Sequence, residues 1–537
     1  MSEHVYDCLV VGAGPAGLQL GALLQAESRD YLIVEAGPAP GTFFTVYPRH
    51  RTLISINKPH TGTTDPELNL RMDWNSLLSD DPDLLFTRYT ERYFPPADEL
   101  PRYLGDFAKA LGLRVAFDAP VVRVDREEDG VFVVEVGAGG EGGTEGGTAY
   151  RARRVVMATG VGRLYVPPIP GIELVERYDT MPTDPAGFVD QRVLIIGKGN
   201  SALETADNLI EKAAVIHVAG PSSLRLAWQS HYVGHVRAVN NNFLDTYQLK
   251  SQNAVLDGTV RSIEPVDGGG FLVRFAFMRA DEVVKELFYD RVIACTGFRF
   301  DASVFGEGTQ PSLAIDDRFP EQTSSYESVN VPGLYFAGTL MQQRDFKKAT
   351  TGFIHGFRYT VRALHHILEQ ETQGIAWPYR EVEGTADGLT AAVLDRVNRS
   401  SALWQQFGVM GDLVVLPEGA GGAGAARYYE EVPVAYALDG KLTTGAGGEP
   451  VTEFLAVTLE YGPDHDKVDP FDVTVRRTAQ DRPEEALDAA YLHPVVRHYR
   501  DGKEIAVHHV AENLENEWNK PQAHRDPLAA FFERIAR

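Results

Sequence analysis

The apolar pattern of the chain opens with a short strand that runs directly into a glycine-rich turn. Residues 9–11 are all aliphatic, and apolar positions recur at helical spacing from Leu18 onward. Between them stand Gly12, Gly14 and Gly17. This order predicts a strand, a tight turn and a helix, in which the glycines permit the turn, the approach of a pyrophosphate and close helix packing.

An acidic residue ends the second apolar run, in the segment YLIVEAG at residues 31–37. Glu35 follows the glycines at about twenty positions, where a carboxylate binds a ribose hydroxyl in dinucleotide-binding units. An ordinary tight turn is the alternative, but the strand, glycines, helix and carboxylate together favour a dinucleotide site. The residues predicted to bind this first cofactor are Gly12, Gly14, Pro15, Ala16, Gly17 and Glu35.

A second copy of the pattern begins at residue 193. A strand is predicted over 193–196, a glycine turn follows, and a helical pattern runs over 202–209. The next apolar run, in AAVIHVAGPSSLRL, ends without Asp or Glu and is followed by Arg225. These features favour a cofactor with a 2′-phosphate, hence NADPH rather than NADH, although Arg225 could equally be a solvated surface residue. The predicted contacts are Gly197, Gly199, Asn200, Ser201, Ala202 and Arg225.

Two dinucleotide loops in one chain suggest electron transfer between two bound nucleotides, with FAD at the first site and NADPH at the second. Other predicted strands end in ATG at 158–160, in CTG at 295–297 and in GLYFAGTL at 333–340. An amphipathic helix follows from about residue 352. The residues that these segments add to the predicted cofactor sites are Thr159, Gly160, Gly297, Gly338, Thr339 and Gly352.

The order of the segments predicts an α/β fold with two Rossmann-like dinucleotide-binding domains, one inserted into the other, and a C-terminal α+β domain. We assign the FAD-binding domain to residues 1–165 and 299–372, the NADPH-binding domain to 166–298 and the C-terminal domain to 373–537. The C-terminal part has no glycine nucleotide loop, and its residues 394–407 predict one helix. It could cap the substrate pocket, form a homodimer or bind a partner.

Composition narrows the classes of protein that fit this pattern. The chain has 537 residues, 44% of them apolar, and a formal net charge of −24, which argues against a nucleic-acid partner. It shows no basic leader, no apolar signal core and no apolar run of membrane-spanning length, so we expect a cytoplasmic protein without membrane contact. Its histidines and carboxylates match no zinc or calcium motif, so no metal site is predicted.

The chain has two cysteines, Cys8 and Cys295, which stand far apart inside apolar strand patterns. Flavoproteins that pass electrons to disulfides usually need an adjacent redox pair. We therefore interpret both cysteines as core residues and expect no thioredoxin- or glutathione-reductase activity.

The motifs GAGPAG, ATG, GKGNSA, CTG and GLYFAG, in this order, resemble those of the flavin-containing monooxygenases. Longer segments are similar to a family of FAD-dependent oxidoreductases that includes a flavoprotein of the endoplasmic reticulum: YPRHRTLISINK at 47–58, MDWNSLLSDDP at 72–82 and HYVGHVRAVNNNFLDTYQLKS at 231–251. That lumenal relative carries a signal peptide and a retention signal. Neither is visible here, so we expect a bacterial, cytoplasmic homologue.

The resemblance implies a single-component, NADPH-dependent FAD monooxygenase. In that family NADPH reduces FAD, O2 adds to the flavin as a C4a-hydroperoxide, and an oxygen atom passes to a small-molecule substrate. An asparagine that follows the first βαβ unit lies close to the flavin and the nicotinamide in these enzymes. Asn57 matches that position and is the candidate catalytic residue, with a turn asparagine as the alternative.

Three departures from the family pattern leave other activities open. Where the monooxygenase motif FxGxxxH has Phe and His, this chain has Ile169 and Val175. The late strand ends in Thr339, where related flavoproteins have an Asp for the ribityl chain, and no arginine stands immediately at the strand end beside the NADPH loop. An NADPH oxidase, a flavin-dependent halogenase and a non-catalytic flavoprotein that binds a protein partner remain alternatives.

Overall fold

The fold is built on strands that are mostly short and buried. The computed structural model describes residues 4–137, 148–248, 253–417, 424–443 and 448–535. The strands that precede residue 165 are β1 (Val5–Tyr6), β2 (Cys8–Val11), β3 (Tyr31–Val34), β4 (Val115–Ala116), β5 (Val121–Arg126), β6 (Phe132–Val136), β7 (Thr148–Ala152), β8 (Val155–Met157) and β9 (Arg163–Leu164).

Eleven further strands lie between residues 176 and 336 in the described part of the chain. They are β10 (Glu176–Arg177), β11 (Arg192–Ile196), β12 (Val215–Gly220), β13 (Ala254–Pro265), β14 (Phe271–Phe277), β15 (Val283–Tyr289), β16 (Arg291–Ala294), β17 (Phe298–Arg299), β18 (Leu313–Ala314), β19 (Phe319–Pro320) and β20 (Leu334–Phe336).

The first sheet is parallel and has the strand order β20-β8-β2-β3-β4. Its central strand β2 is buried at every position, as expected for a parallel strand covered on both faces. Strand β20 pairs with β8, which confirms the predicted late strand and shows that the chain returns to the first sheet after building the second. A smaller sheet, β1-β7-β6-β5, adjoins it in sequence.

The second sheet has the strand order β10-β16-β11-β12-β13-β14-β15. It is parallel from β10 to β13 and antiparallel from β13 to β15. A short antiparallel pair, β9 with β17, joins the two stretches of chain that lead into and out of this sheet. The predicted fold class of two Rossmann-like units is confirmed, whereas the residue boundaries assigned to the domains stay a prediction.

The third sheet is antiparallel and belongs to the C-terminal part, with the order β21-β23-β22-β24-β25-β26. Its strands are β21 (Tyr379–Glu383), β22 (Met410–Val415), β23 (Ala425–Pro433), β24 (Glu453–Glu460), β25 (His493–Arg500) and β26 (Lys503–His509). One apolar cluster extends from β2 through the long helix that begins at residue 354 to this sheet, so the C-terminal part shares a core with the first sheet.

The helices surround and connect these sheets. They are α1 (Pro15–Ala26), α2 (Phe43–Val46), α3 (Pro66–Met72), α4 (Glu99–Ala110), α5 (Asn200–Leu209), α6 (Ala227–Ser230), α7 (Asn242–Gln248), α8 (Ile354–Gln373), α9 (Ala386–Arg399), α10 (Ser401–Gln405), α11 (Val434–Leu438) and α12 (Asp526–Ile535), with 3₁₀ turns between them and a π-helical turn, Pro521–Arg525, before α12. Within the ranges given above, every helix is too short or too polar to pass through a lipid bilayer.

The single helix predicted over 394–407 is wrong, because the structure divides it at Ser400. This residue has extended-type backbone angles, φ −54° and ψ 124°, and follows the end of α9. Its hydroxyl accepts a hydrogen bond from the amide of Leu403 at 3.1 Å, which makes Ser400 the N-cap of α10. The Ser-Ser pair therefore ends one helix and starts the next.

Two buried arginines fasten the loop around α3 between α8 and the C-terminal part. Arg358 of α8 is fully buried and donates hydrogen bonds to the carbonyls of residues 70, 73 and 76. Arg71 donates to the carbonyls of Val397 and Ser400 across the other side of the loop. These bonds hold Trp74 in a fixed place, where it forms part of the candidate site.

Candidate active site

The first glycine loop meets two different requirements. A Cβ on Gly12, whose φ is +107°, would lie 2.8 Å from the carbonyl oxygen of Ala158, and one on Gly17 would lie 1.9 Å from that of Gly12. A Cβ on Gly14 would meet nothing within 4 Å. Gly12 and Gly17 are therefore needed for the fold, whereas Gly14 leaves free space before the first turn of α1, where anions bind.

Glu35 braces this loop. Its carboxylate accepts hydrogen bonds from the amides of Ala13 at 2.6 Å and Gly37 at 2.9 Å. It also lines a cavity of about 400 Å³, the nucleotide cavity, together with Gly12, Gly14 and the 157–163 segment. The carboxylate thus stands at the predicted ribose edge and at the same time fixes the loop in place.

The second glycine loop repeats the geometry of the first. Gly197 has a φ of +131°, and a Cβ there would lie 2.1 Å from the carbonyl oxygen of Cys295. A Cβ on Gly199 would meet nothing within 4 Å. Ala202 is fully buried at the third position. Free space again lies at the start of a helix, here α5.

The two loops open onto one shared space of about 400 Å³, which we call the junction cavity. Its wall combines the start of α1, the start of α5 and the segment that leads into α8. The predicted cofactor residues that line it are Gly14, Pro15, Ala16, Thr159, Gly160, Asn200, Ser201, Thr339 and Gly352. The predicted residues outside both cavities are Asn57, Gly17, Gly197, Gly199, Ala202, Arg225, Gly297 and Gly338.

Most of the junction cavity is aromatic or aliphatic. The aromatic residues in its lining are Phe43, Phe44, Tyr47, Trp74, Tyr178, Phe298, Phe353 and Phe357. Trp74 stacks on His355 with ring centroids 4.0 Å apart, and His355 is almost fully buried. Planar heterocycles stack well on such walls, because flat aromatic faces exclude water over a large area.

Asn57, which the family resemblance predicts beside the reacting groups, is not among the residues that line the junction cavity. Its side chain is buried, and its amide nitrogen donates to the carbonyls of Thr90 at 2.7 Å and Arg92 at 3.3 Å. These two carbonyls hold the side-chain amide, whereas the nearby residues Ser55 and Trp74 line the cavity. The geometry gives no support to Asn57 as the residue beside the reacting groups.

Arg225 is exposed and lies 3.8 Å from the carboxylate of Asp466 in the C-terminal part. A cation that sequence reasoning missed stands closer to the end of β12. Lys198, inside the second glycine loop, places its Nζ 3.1 Å from the carbonyl of Ser222 and 2.5 Å from the carboxylate of Asp257. Arg279 binds the other oxygen of Asp257 at 2.7 Å.

Asp257 supplies a carboxylate that the β12 segment itself lacks. It lies on β13 directly opposite Gly220, the last residue of β12. The motif GKGNSA contains the lysine, but no local signal points to an aspartate 59 residues later in the chain. Strand pairing alone brings the two groups together.

Burial changes the protonation of several groups around the junction cavity. It raises the pKa of Glu204 to about 7, and this carboxyl accepts a hydrogen bond from the hydroxyl of Tyr178. Burial holds the pKa of His355 well below its usual value, with the guanidinium groups of Arg358 and Arg237 acting in the same direction. His355 is therefore a neutral imidazole at physiological pH.

The two cysteines are buried and lie on strand β2 and just after β16. Burial raises the pKa of Cys8 and of Cys295 to about 12, so both are thiols rather than thiolates. A thiol of this kind is a poor nucleophile. Neither lines the two cavities.

Comparison with known proteins places the chain among pyridine-nucleotide flavoproteins. Residues 9–338 match the family described as pyridine nucleotide-disulphide oxidoreductase. The chain is 38% identical to FAD-dependent oxidoreductase domain-containing protein 2 of Mus musculus, over 98% of this chain and 83% of that protein. The protein of the same name from Danio rerio is also 38% identical, with the same coverage of both chains.

Two solved structures share the fold at low identity. Bacillithiol disulfide reductase Bdr from Staphylococcus aureus is 20% identical, with a TM-score of 0.52, over 69% of this chain and all of that chain. A flavin-containing monooxygenase from Stenotrophomonas maltophilia is 21% identical, with a TM-score of 0.51, over 67% of this chain and 97% of the other. At this identity the likeness concerns the fold alone.

Proposed function

Because the chain belongs to the pyridine nucleotide-disulphide oxidoreductase family and to that of FAD-dependent oxidoreductase domain-containing protein 2, it is an oxidoreductase that uses FAD and NADPH, and we propose that it is a monooxygenase. The substrate in this proposal is a small molecule, and O2 is the second reactant. The observation that carries it is the junction cavity, which joins both glycine loops and is lined mainly by apolar side chains.

The residues present fit an FAD molecule. Gly14 leaves open space at the start of α1 for a diphosphate, and Glu35 stands at the edge of the nucleotide cavity for a ribose hydroxyl. Thr339 replaces the Asp of related flavoproteins, and its hydroxyl donates to the carbonyl of Gly352 at 3.1 Å. This bond joins the turn after β20 to the segment before α8, and both line the junction cavity together with the first glycine loop.

When bound and reduced, the flavin supplies the chemistry that activates O2. The protein side chains exclude water from that chemistry: Trp74, Tyr178 and Phe298 are three of the eight aromatic residues in the lining. The neutral His355 packs on Trp74 and adds no charge to the wall. Asn200 and Ser201, at the start of α5, line the same cavity and would contact NADPH there.

The cysteines favour this proposal over a disulfide reductase. A reductase of that kind needs a reactive thiolate close to the flavin. Cys8 and Cys295 are buried thiols outside the junction cavity. The likeness to Bdr therefore extends to the fold, while the site itself lacks a dithiol.

The experiment that tests the proposal uses the full chain loaded with FAD. NADPH and, separately, NADH are added under nitrogen, and the loss of flavin absorbance at about 450 nm is followed. Oxygen is then admitted with and without candidate small-molecule substrates, and H2O2 is measured against NADPH consumed. A monooxygenase is reduced rapidly by NADPH, and a substrate lowers the yield of H2O2 while an oxygenated product accumulates.

Other outcomes decide among the alternatives. H2O2 equimolar with NADPH under every condition identifies an NADPH oxidase. Halide-dependent loss of H2O2 with a halogenated product identifies a halogenase. A flavin that neither nucleotide reduces identifies a non-catalytic flavoprotein. The cytoplasmic location, the bacterial origin and a homodimer stay predictions from the sequence.

A further inference from the structure

Arg237 connects the start of α5 to the part of the junction cavity beside Ile54 and Trp74. Its backbone amide donates to the side chain of Asn200 at 2.9 Å, beside the start of α5. Its Nη1 donates to the carbonyl of Ile54 at 2.8 Å, and its guanidinium lies 5.0 Å from the centre of the Trp74 ring. The side chain therefore extends from the NADPH loop to the wall where a flavin ring would lie.

The guanidinium has few partners for its position. An arginine has five N–H donors, and in Arg237 the Nε and Nη2 groups donate to no atom among the described residues. Among the described residues, the charged neighbour that affects its pKa is Tyr93 rather than a carboxylate. By contrast, the buried Arg358 donates to three carbonyls and Arg71 to two. Arg237 is thus a charged residue of this cavity whose Nε and Nη2 groups can still donate hydrogen bonds to a ligand.

The surroundings favour a ligand anion as the missing partner. Among the described residues that line the cavity, Glu204 is the one acid, and it accepts a hydrogen bond from Tyr178. Burial lowers the pKa of Arg237, because partial removal from water has a cost for its charged form. An anion bound in the cavity would remove that cost.

We propose that Arg237 is the counter-ion of an anionic oxygen group bound in the junction cavity. The group is a phosphate of NADPH or a carboxylate of the substrate, which a guanidinium binds in the same way. The backbone amide of Arg237 is bound to Asn200, at a helix start suited to phosphates, whereas its guanidinium lies beside Ile54 and Trp74, so the experiment probes both anions. The carboxylate form rests on the proposed function and restricts the substrate to aromatic or apolar acids.

Binding to the oxidised, FAD-loaded full chain tests the proposal without any turnover. The flavin spectrum is titrated with NADP⁺ and, separately, with 3-phenylpropanoate and its amide. The variants are Arg237→Gln, which removes the charge, and Arg237→Lys, which keeps it. Arg261→Gln is the matched control, because this exposed arginine lies on β13 and pairs with Glu282 away from the cavities.

Two results support the proposal and identify the anion. If Arg237→Gln weakens NADP⁺ binding about tenfold or more, with partial recovery in Arg237→Lys and no change in Arg261→Gln, the anion is the phosphate. If NADP⁺ binding is unchanged but 3-phenylpropanoate binding is lost while the amide still binds, the anion is the carboxylate. Unchanged binding of all three probes overturns the proposal and leaves Arg237 as a structural tie to Ile54.

A second measurement covers the case in which the variants do not retain FAD. The unaltered protein is treated with phenylglyoxal, with and without NADP⁺ or 3-phenylpropanoate, and modification of Arg237 is followed by mass spectrometry. Protection by either ligand supports the proposal, and equal modification with both overturns it. Neither readout depends on oxygen chemistry, so the chain can prove to be an oxidase while this inference stands.

Discussion

The two glycine loops have nearly the same backbone requirements, but different charged groups lie at the end of the strand that follows each loop. In each, the first glycine has a positive φ and a backbone carbonyl where a Cβ would be, and the second glycine faces open space. Beyond the first loop, Glu35 accepts hydrogen bonds from two loop amides. Beyond the second, Lys198 and Arg279 surround Asp257, which comes from a neighbouring strand.

The difference teaches which part of a dinucleotide motif is general and which is specific. The glycines satisfy packing of strand, turn and helix, which is the same problem in both units. The charged groups at the strand ends come from different places in the chain and carry opposite net charge. We expect these charged groups, rather than the glycines, to distinguish one nucleotide from another.

The largest expected effect comes from substituting each of two glycines in the second loop separately. Gly197→Ala should lower the free energy of unfolding by about 3 kcal/mol or more, because it combines a strained φ with a Cβ 2.1 Å from a carbonyl oxygen. Gly199→Ala should change it by less than about 0.5 kcal/mol but weaken NADP⁺ binding. Urea unfolding and flavin titration measure the two effects. Equal losses of stability would contradict the division of roles.

The next effect tests the brace of the first loop. Glu35→Gln should reduce FAD content and lower stability by about 1–3 kcal/mol, because a carboxylate that accepts two amide hydrogen bonds becomes a group with one acceptor oxygen. Flavin absorbance per protein and thermal unfolding measure it. Asp257→Asn is the control in the second unit and should leave FAD content unchanged. If Glu35→Gln retained its full FAD content, the Glu35 carboxylate would not be needed to hold the first glycine loop for FAD binding.

The pH dependence of stability tests two buried acids, one associated with each dinucleotide-binding unit. Burial raises the pKa of Asp345, which follows β20, to about 7, and that of Asp207, on α5, to about 6. The folded state therefore holds protons that the unfolded state releases near pH 4, so stability falls as pH rises from about 4 to 7.

Removing the ionisable group should weaken that dependence. Asp345→Asn should be more stable than the parent at pH 8 by about 1–3 kcal/mol, with little difference at pH 4. Thermal unfolding between these pH values measures it, with Asp207→Asn as the matched variant of the second unit. A parallel pH profile for Asp345→Asn and the parent would show that this carboxyl ionises freely in the folded protein.

The smallest expected effect concerns the exposed cation of the second unit. Arg225→Gln should change the free energy of unfolding by less than about 0.5 kcal/mol and weaken NADP⁺ binding about two- to threefold, because its charge is solvated and screened. Flavin titration at two salt concentrations measures it. A tenfold loss would instead make Arg225, as the sequence suggests, the principal phosphate contact.

Several features of the protein follow from short stretches of sequence. The spacing of Gly12, Gly14 and Gly17 identifies a turn whose steric limits lie within a few residues, so it could be predicted without the fold. The same holds for Glu35 at a strand end and for the late strand β20, because an apolar run bounded by glycine carries its own signal. The two-unit architecture follows from the order of these local patterns.

Other features depend on which partners the folded chain brings together. Asn57 is drawn to the carbonyls of residues 90–92, and its sequence neighbourhood contains no sign of that competition. Arg237 and Trp74 meet across more than 160 positions, and Lys198 finds Asp257 only through strand pairing. The sequence by itself determined the backbone turns, because their constraints are local and steric. The tertiary structure decided the charges and walls of the site, because those contacts depend on the packing of distant segments.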